Sequence, residues 1–170
     1  MAKPRLKNIN GHFVESDYEN ALISFLEAEG WQYLFGENIA RPNRKEVLYM
    51  DDLLQFLKDN NKNVNDEELQ RIADNIRLVG ADSDFATLHK VYKWMVNGVP
   101  AVDKDGRPTT VNLIDFAEPD NNIFRVVNQF SVEYVNNGVT KNRRPDVLLY
   151  VNGLPVCVIE LKNPADANAT

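Results

Sequence analysis

The sequence predicts an α+β fold in which N-terminal helices pack on a mostly antiparallel sheet. Three observations carry this reading. Apolar residues recur at helical spacing through the first hundred residues. From Thr109 onward the pattern changes to runs rich in Val, Ile, Phe and Tyr. Two Asn-Gly pairs, Asn137-Gly138 and Asn152-Gly153, separate such runs and signal tight hairpin turns.

Each element has a local reason. Ser16-Asp17-Tyr18-Glu19 reads as a capping box for a helix over 17–29, with Leu22, Ile23, Phe25 and Leu26 on one face and Gly30 as its stop. A second helix is expected over 51–59, opened by Asp51 and carrying Leu53, Leu54, Phe56 and Leu57. A third starts after Asn65, with Glu68 three residues on and Leu69, Ile72, Ile76 and Leu78 along it. A fourth begins after Ser83, buries Phe85, Leu88, Val91, Tyr92 and Met95, and ends at Gly98. Strands are expected over Thr109–Phe116, Phe124–Val135, Pro145–Val151 and Leu154–Lys162. The polar end Asn163–Thr170 reads as frayed. Asp103-Lys104-Asp105-Gly106 reads as a β-turn, because a calcium loop counted from Gly106 would need ligands at Ala101 and Asn112.

Composition excludes several classes. The one cysteine, Cys157, reads as a small buried hydrophobe and allows neither an internal disulfide nor a thiolate zinc site; His12 and His89 match no zinc spacing. No apolar run approaches the roughly 18 residues of a membrane span. The basic start MAKPRLKNIN leads into no hydrophobic segment, so a cytoplasmic protein is expected. The net charge of −6 argues against a general nucleic-acid surface. That charge is uneven: residues 51–85 carry nine acids and four bases, whereas 141–162 carry a surplus of two positive charges. The acidic stretch reads as a solvated helix surface.

The chemistry concentrates at 143–162. Glu160 and Lys162 are two apart and so share a strand face, with Ile159 and Leu161 pointing the other way. The Asn152-Gly153 turn folds Asp146 back towards Glu160, so two carboxylates and an amine converge at one rim of the sheet. Such oxygens suit Mg²⁺, a hard ion that keeps several waters and accepts phosphate as a ligand. A bound divalent ion acidifies water, and a nearby ammonium can orient it. Arg143 and Arg144 can hold a phosphate backbone. On spacing alone the group reads equally as a surface Asp–Lys–Glu ion-pair cluster.

Pro145-Asp146, thirteen residues, then Glu160-Leu161-Lys162 resembles the PD-(D/E)xK nuclease signature. Asn112-Leu113-Ile114-Asp115-Phe116, Asn121-Asn122-Ile123-Phe124, Asn128-Gln129-Phe130, Asn152-Gly153-Leu154-Pro155 and Lys162-Asn163-Pro164 extend the likeness over the chain. Together they resemble the N-terminal nuclease domain of the R (restriction) subunit of type I restriction–modification enzymes.

That resemblance implies a restriction-endonuclease-like core with a helical insertion at 31–100 and a sheet with the active site at 109–162. It implies an endonuclease, a type I site-specific deoxyribonuclease acting on double-stranded DNA. Asp146 and Glu160 would bind Mg²⁺, with the Leu161 carbonyl as a further ligand, and Lys162 would position the attacking water. Glu19 matches an acidic position of such nucleases, the capping box being the favoured explanation. Arg143, Arg144 and Lys141 would contact DNA. Gln129 and Tyr134 either touch DNA or pair across strands, the structural reading being favoured. Partner modification and specificity subunits and an ATP-driven motor are implied for the parent protein.

Two departures stand out. Such cores continue past the lysine into a crossover helix with a Gln-x-x-x-Tyr motif, whereas this chain stops eight residues after Lys162, and it holds no Gly-rich Lys-Ser/Thr phosphate loop. The chain therefore reads as the front of a longer protein, with the C-terminal part of the core truncated. The competing reading is a non-catalytic module that keeps a nuclease-like sheet for assembly.

Overall fold

A computed structural model describes residues 15–79 and 85–162. The chain forms a mixed α+β structure of two compact units. The first contains residues 15–40, 124–150 and 155–162; the second contains 41–123 and 151–154. The expected frayed end, the basic N-terminus and the opening of the fourth helix lie outside the described residues.

In the first unit, α1 (Glu15–Ala28) already includes Ser16, so Ser16 is not its cap. The helix stops at Gly30 as expected. Trp31 N–H bonds to Leu26 O at 3.0 Å and Gly30 N–H to Glu27 O at 3.1 Å, the paired bonds of a Schellman motif, with Gly30 at φ 94°. Leu22, Ile23 and Leu26 pack with Trp31, Val126, Val147, Leu149 and Ile159. Phe25 is left outside this face, at 62% exposure.

Next comes β1 (Gln32–Phe35), which falls inside the stretch expected to be a helical insertion. It runs parallel to β4 (Phe124–Asn128), with Gln32 opposite Arg125 and Phe35 opposite Asn128. The four-stranded sheet is completed by β7 (Val147–Val151) and β8 (Leu154–Ile159), in the order β1-β4-β7-β8. The sheet is therefore not the simple antiparallel meander the turns suggested. A parallel partner some ninety residues away leaves no local turn signal.

The expected strand over Phe124–Val135 is broken. Gln129 takes φ 53°, and the chain leaves the sheet to form β5 (Val132–Asn136), paired antiparallel with β6 (Val139–Arg143) as a separate two-stranded ribbon. Both Asn-Gly turns form as expected, with Asn137 at φ 51°, Gly138 at 76°, Asn152 at 52° and Gly153 at 75°. Cys157 is exposed, contrary to expectation. Pro155–Val158 all lie exposed on β8, the last strand in the sheet order.

The second unit holds α2 (Met50–Asn60), α3 (Asp66–Val79), α4 (Phe85–Asn97) and a hairpin of β2 (Val99–Val102) and β3 (Pro108–Val111). Leu53, Leu57, Leu69, Ile72 and Ile76 meet Val111, Leu113 and Leu154 in its core. The expected strand Thr109–Phe116 is thus shorter, and β2 supplies a partner the sequence reading did not place.

The Asp103–Gly106 turn forms, closed by Gly106 N–H to Asp103 O at 3.0 Å. The apolar side of α4 is only partly used. Trp94 and Met95 pack on the core, whereas Phe85, Leu88 and Tyr92 are 83%, 63% and 62% exposed. Helical periodicity marks an apolar arc wider than the surface this unit offers it.

Asn152 has a second role that its turn did not announce. Fully buried, it accepts Ile123 N–H at 2.7 Å and donates to Leu113 O at 2.9 Å and Asn122 Oδ1 at 2.8 Å. The neighbouring Asp115 carboxylate accepts the Asn121 amide at 2.8 Å and the backbone N–H of Glu118 and Ala117, which hold it below the usual carboxylate range. No described helix is long and apolar enough to cross a membrane.

Candidate active site

The β7–β8 hairpin sets the geometry. Asp146 immediately precedes β7, and Glu160-Leu161-Lys162 immediately follow β8. A two-residue turn returns the chain on itself, so both groups emerge at the end opposite the turn. Glu160 and Lys162 therefore lie just past the strand rather than within it. Ile159, the last strand residue, packs with Val126 and Val147 as expected.

One hydrogen bond joins the two strand ends. Leu161 N–H donates to Asp146 Oδ2 at 2.6 Å. This charge-assisted bond ties the two strand ends and orients the carboxylate. Arg143, at the end of β6, reaches within 3.7 Å of Glu160 Oε1 through Nη2. Both side chains are exposed, at 71% and 46%, so this pair adds under about 1 kcal/mol. Lys141, Arg144 and Lys162 are exposed and Leu161 is half-buried.

Glu19 belongs to a different polar group. It is buried, accepts Asn128 Nδ2–H at 2.5 Å and lies 3.5 Å from Gln129 Nε2. Asn128 Oδ1 in turn accepts the Tyr33 hydroxyl at 2.9 Å. The carboxylate thus meets β4 side chains rather than reaching back along its own helix, so the capping-box explanation does not describe it. Gln129 faces Glu19, and Tyr134 sits opposite Lys141 in the ribbon register. Asn128 and Tyr33 were invisible as partners, because only the parallel β1–β4 pairing joins them.

Burial pushes the Tyr33 phenol above its ordinary value, the Glu19 and Glu27 charges add to this, and the Asn128 bond opposes it. A raised folded-state pKa contributes stability that is present below the unfolded value near 10 and is lost as pH rises through the folded value. An ultraviolet phenolate titration should therefore show one tyrosine ionising later than the others. Tyr33→Phe should remove that late step; its persistence in the variant would assign it elsewhere.

The donor set suits a hard divalent ion. Asp146 uses Oδ2 in its bond to Leu161 N–H, Glu160 directly precedes Leu161 and is exposed, and Leu161 adds its backbone carbonyl. Among the described residues no group of three or more His, Cys, Asp or Glu side chains is placed to hold a metal. Two carboxylates and a carbonyl are the set these strand ends offer.

The family model for the type I restriction enzyme R protein N terminus matches residues 12–170. An endonuclease subunit of the type I restriction enzyme MjaIXP from Methanocaldococcus jannaschii is 34% identical over 163 residues, covering 89% of this chain and 15% of the relative. The type I restriction enzyme HindI endonuclease subunit from Haemophilus influenzae is 28% identical over 169 residues, covering 91% and 15%. The chain thus spans about 15% of the length of these curated relatives.

Proposed function

This chain belongs to the family of type I restriction enzyme R protein N termini, and from that premise we propose that it is the nuclease domain of such a subunit, a PD-(D/E)xK-type endonuclease that hydrolyses phosphodiesters of double-stranded DNA with Mg²⁺. The observation that carries the reading is the 2.6 Å bond between Leu161 N–H and Asp146, which joins the two ends of the signature.

Asp146, Glu160 and the Leu161 carbonyl would hold the ion. When bound, it supplies Lewis-acid charge to the phosphate and acidity to water. Leu161 N–H keeps Asp146 from rotating away. Lys162, two residues after Glu160, would bring a positive charge to the site, to orient the attacking water and steady charge developing on phosphorus. Arg143, Arg144 and Lys141 are the exposed cations that bind the DNA backbone. Motor activity driven by ATP, sequence recognition and methylation belong to the rest of the subunit and to specificity and modification partners.

The test has two arms. Calorimetric titration of Mg²⁺ or Mn²⁺ into the chain should show weak binding that Asp146→Ala removes, because two carboxylates leave the ion largely hydrated. A complete subunit carrying this domain, with its partners and ATP, should linearise plasmid DNA, and Asp146→Ala should abolish this. The chain alone should cut negligibly, lacking orientation of its substrate. Undiminished cleavage by an Asp146→Ala complex would leave the assembly-module reading in its place.

A further inference from the structure

The β5–β6 ribbon is poorly explained as part of a core. It forms a two-stranded sheet of its own, all of β6 is exposed, and Tyr134, Val135 and Val139 are 41%, 57% and 59% exposed. An isolated two-stranded ribbon is marginally stable, so its place in the fold asks for another reason.

Its register supplies one. Residues directly opposite each other share a face. Val132 pairs with Arg143, Tyr134 with Lys141, and Asn136 with Val139 on one face; Glu133 pairs with Asn142 and Val135 with Thr140 on the other. Both strand cations and the tyrosine hydroxyl therefore lie on one face, and the only acid of the ribbon lies on the opposite one. Lys141 and Arg143 are two residues apart, about 6.8 Å along the strand, a spacing that successive phosphates of one strand can match. The row leads somewhere, because Arg143 is the residue 3.7 Å from Glu160.

We propose that the ribbon is a DNA-guiding arm whose Tyr134–Lys141–Arg143 face tracks one phosphate backbone and delivers it to Asp146 and Glu160. This rests on the nuclease reading for its destination, not for its binding. Lys141 and Arg143 each neutralise a phosphate, and Tyr134 donates its hydroxyl to one. The ribbon is a positive face on an acidic chain, so binding is weak and falls steeply with salt.

Fluorescence anisotropy of a labelled 30-base-pair duplex (length about three helical turns), in EDTA and across a salt series, tests the arm without cleavage. Lys141→Gln should flatten the slope of log K against log salt by about 0.9. Lys141→Arg should restore it. Tyr134→Phe should weaken binding about tenfold, in line with one hydrogen bond to a charged phosphate, with the slope unchanged. Thr140→Glu alters the net charge by the same amount as Lys141→Gln but lies on the other face, so it should leave the slope unchanged and lower affinity less than Lys141→Gln does. Equal effects of Thr140→Glu and Lys141→Gln, or no duplex binding at the lowest salt, would overturn the proposal. Loss of cleavage in Asp146→Ala with the ribbon variants binding and cutting normally would leave the nuclease reading standing and remove the arm.

Discussion

Replacing Lys162 by alanine should lower DNA cleavage by about 10²–10³-fold, the usual loss when a positioned electrostatic contact is removed from a reacting centre. Lys162 follows Glu160 by two residues at the end of the hairpin that carries Asp146. Its side chain is exposed, so the truncation should change stability by no more than about 0.5 kcal/mol. Cleavage of plasmid by the assembled complex measures the effect, with ATP hydrolysis as the internal control for folding and assembly. Lys162→Arg should not fully rescue, because a planar guanidinium places its donors differently from a compact ammonium. A near-normal cleavage rate in Lys162→Ala would make the lysine a bystander and return the cluster to a surface ion-pair group.

A second large effect is structural. Gly153→Ala should destabilise the protein by about 3–5 kcal/mol, at the upper end for a single substitution. Gly153 sits at φ 75°, and a Cβ there would collide with Tyr49 O and meet Leu53 N at 2.9 Å. These are backbone atoms at the start of α2, and Tyr49 N–H already bonds to Gly153 O at 2.9 Å, so neither side can yield cheaply. Gly138 gives the matched comparison: φ is 76° and a Cβ would meet nothing within 4 Å. Gly138→Ala should cost only the left-handed backbone strain, about 1–2 kcal/mol. Urea unfolding of the two variants measures both. Equal losses would mean that backbone strain, not the collision with Tyr49, decides the cost.

Sequence alone determined what short-range chemistry decides. Asn137-Gly138 and Asn152-Gly153 form the turns that their residue types require. Gly30 ends α1 through the expected backbone bonds, and α2 and α3 lie where their periodicity puts them. The meeting of Asp146 with the Glu160 segment was legible for the same reason: a two-residue turn leaves the strand ends no other place to go. Tertiary structure alone decided the contacts made across long stretches of chain. The β1–β4 pairing joins residues some ninety apart, and it brings Asn128 to Tyr33 and Glu19. The departure of the chain from the sheet at Gln129, which turns β5 and β6 into a ribbon and carries Arg143 to Glu160, has no local marker, since glutamine does not favour a positive φ. The exposure of Phe85, Leu88, Tyr92 and Cys157 is likewise a property of what surrounds them. Periodicity says which residues an element can bury, and only the packed neighbours determine which it does bury.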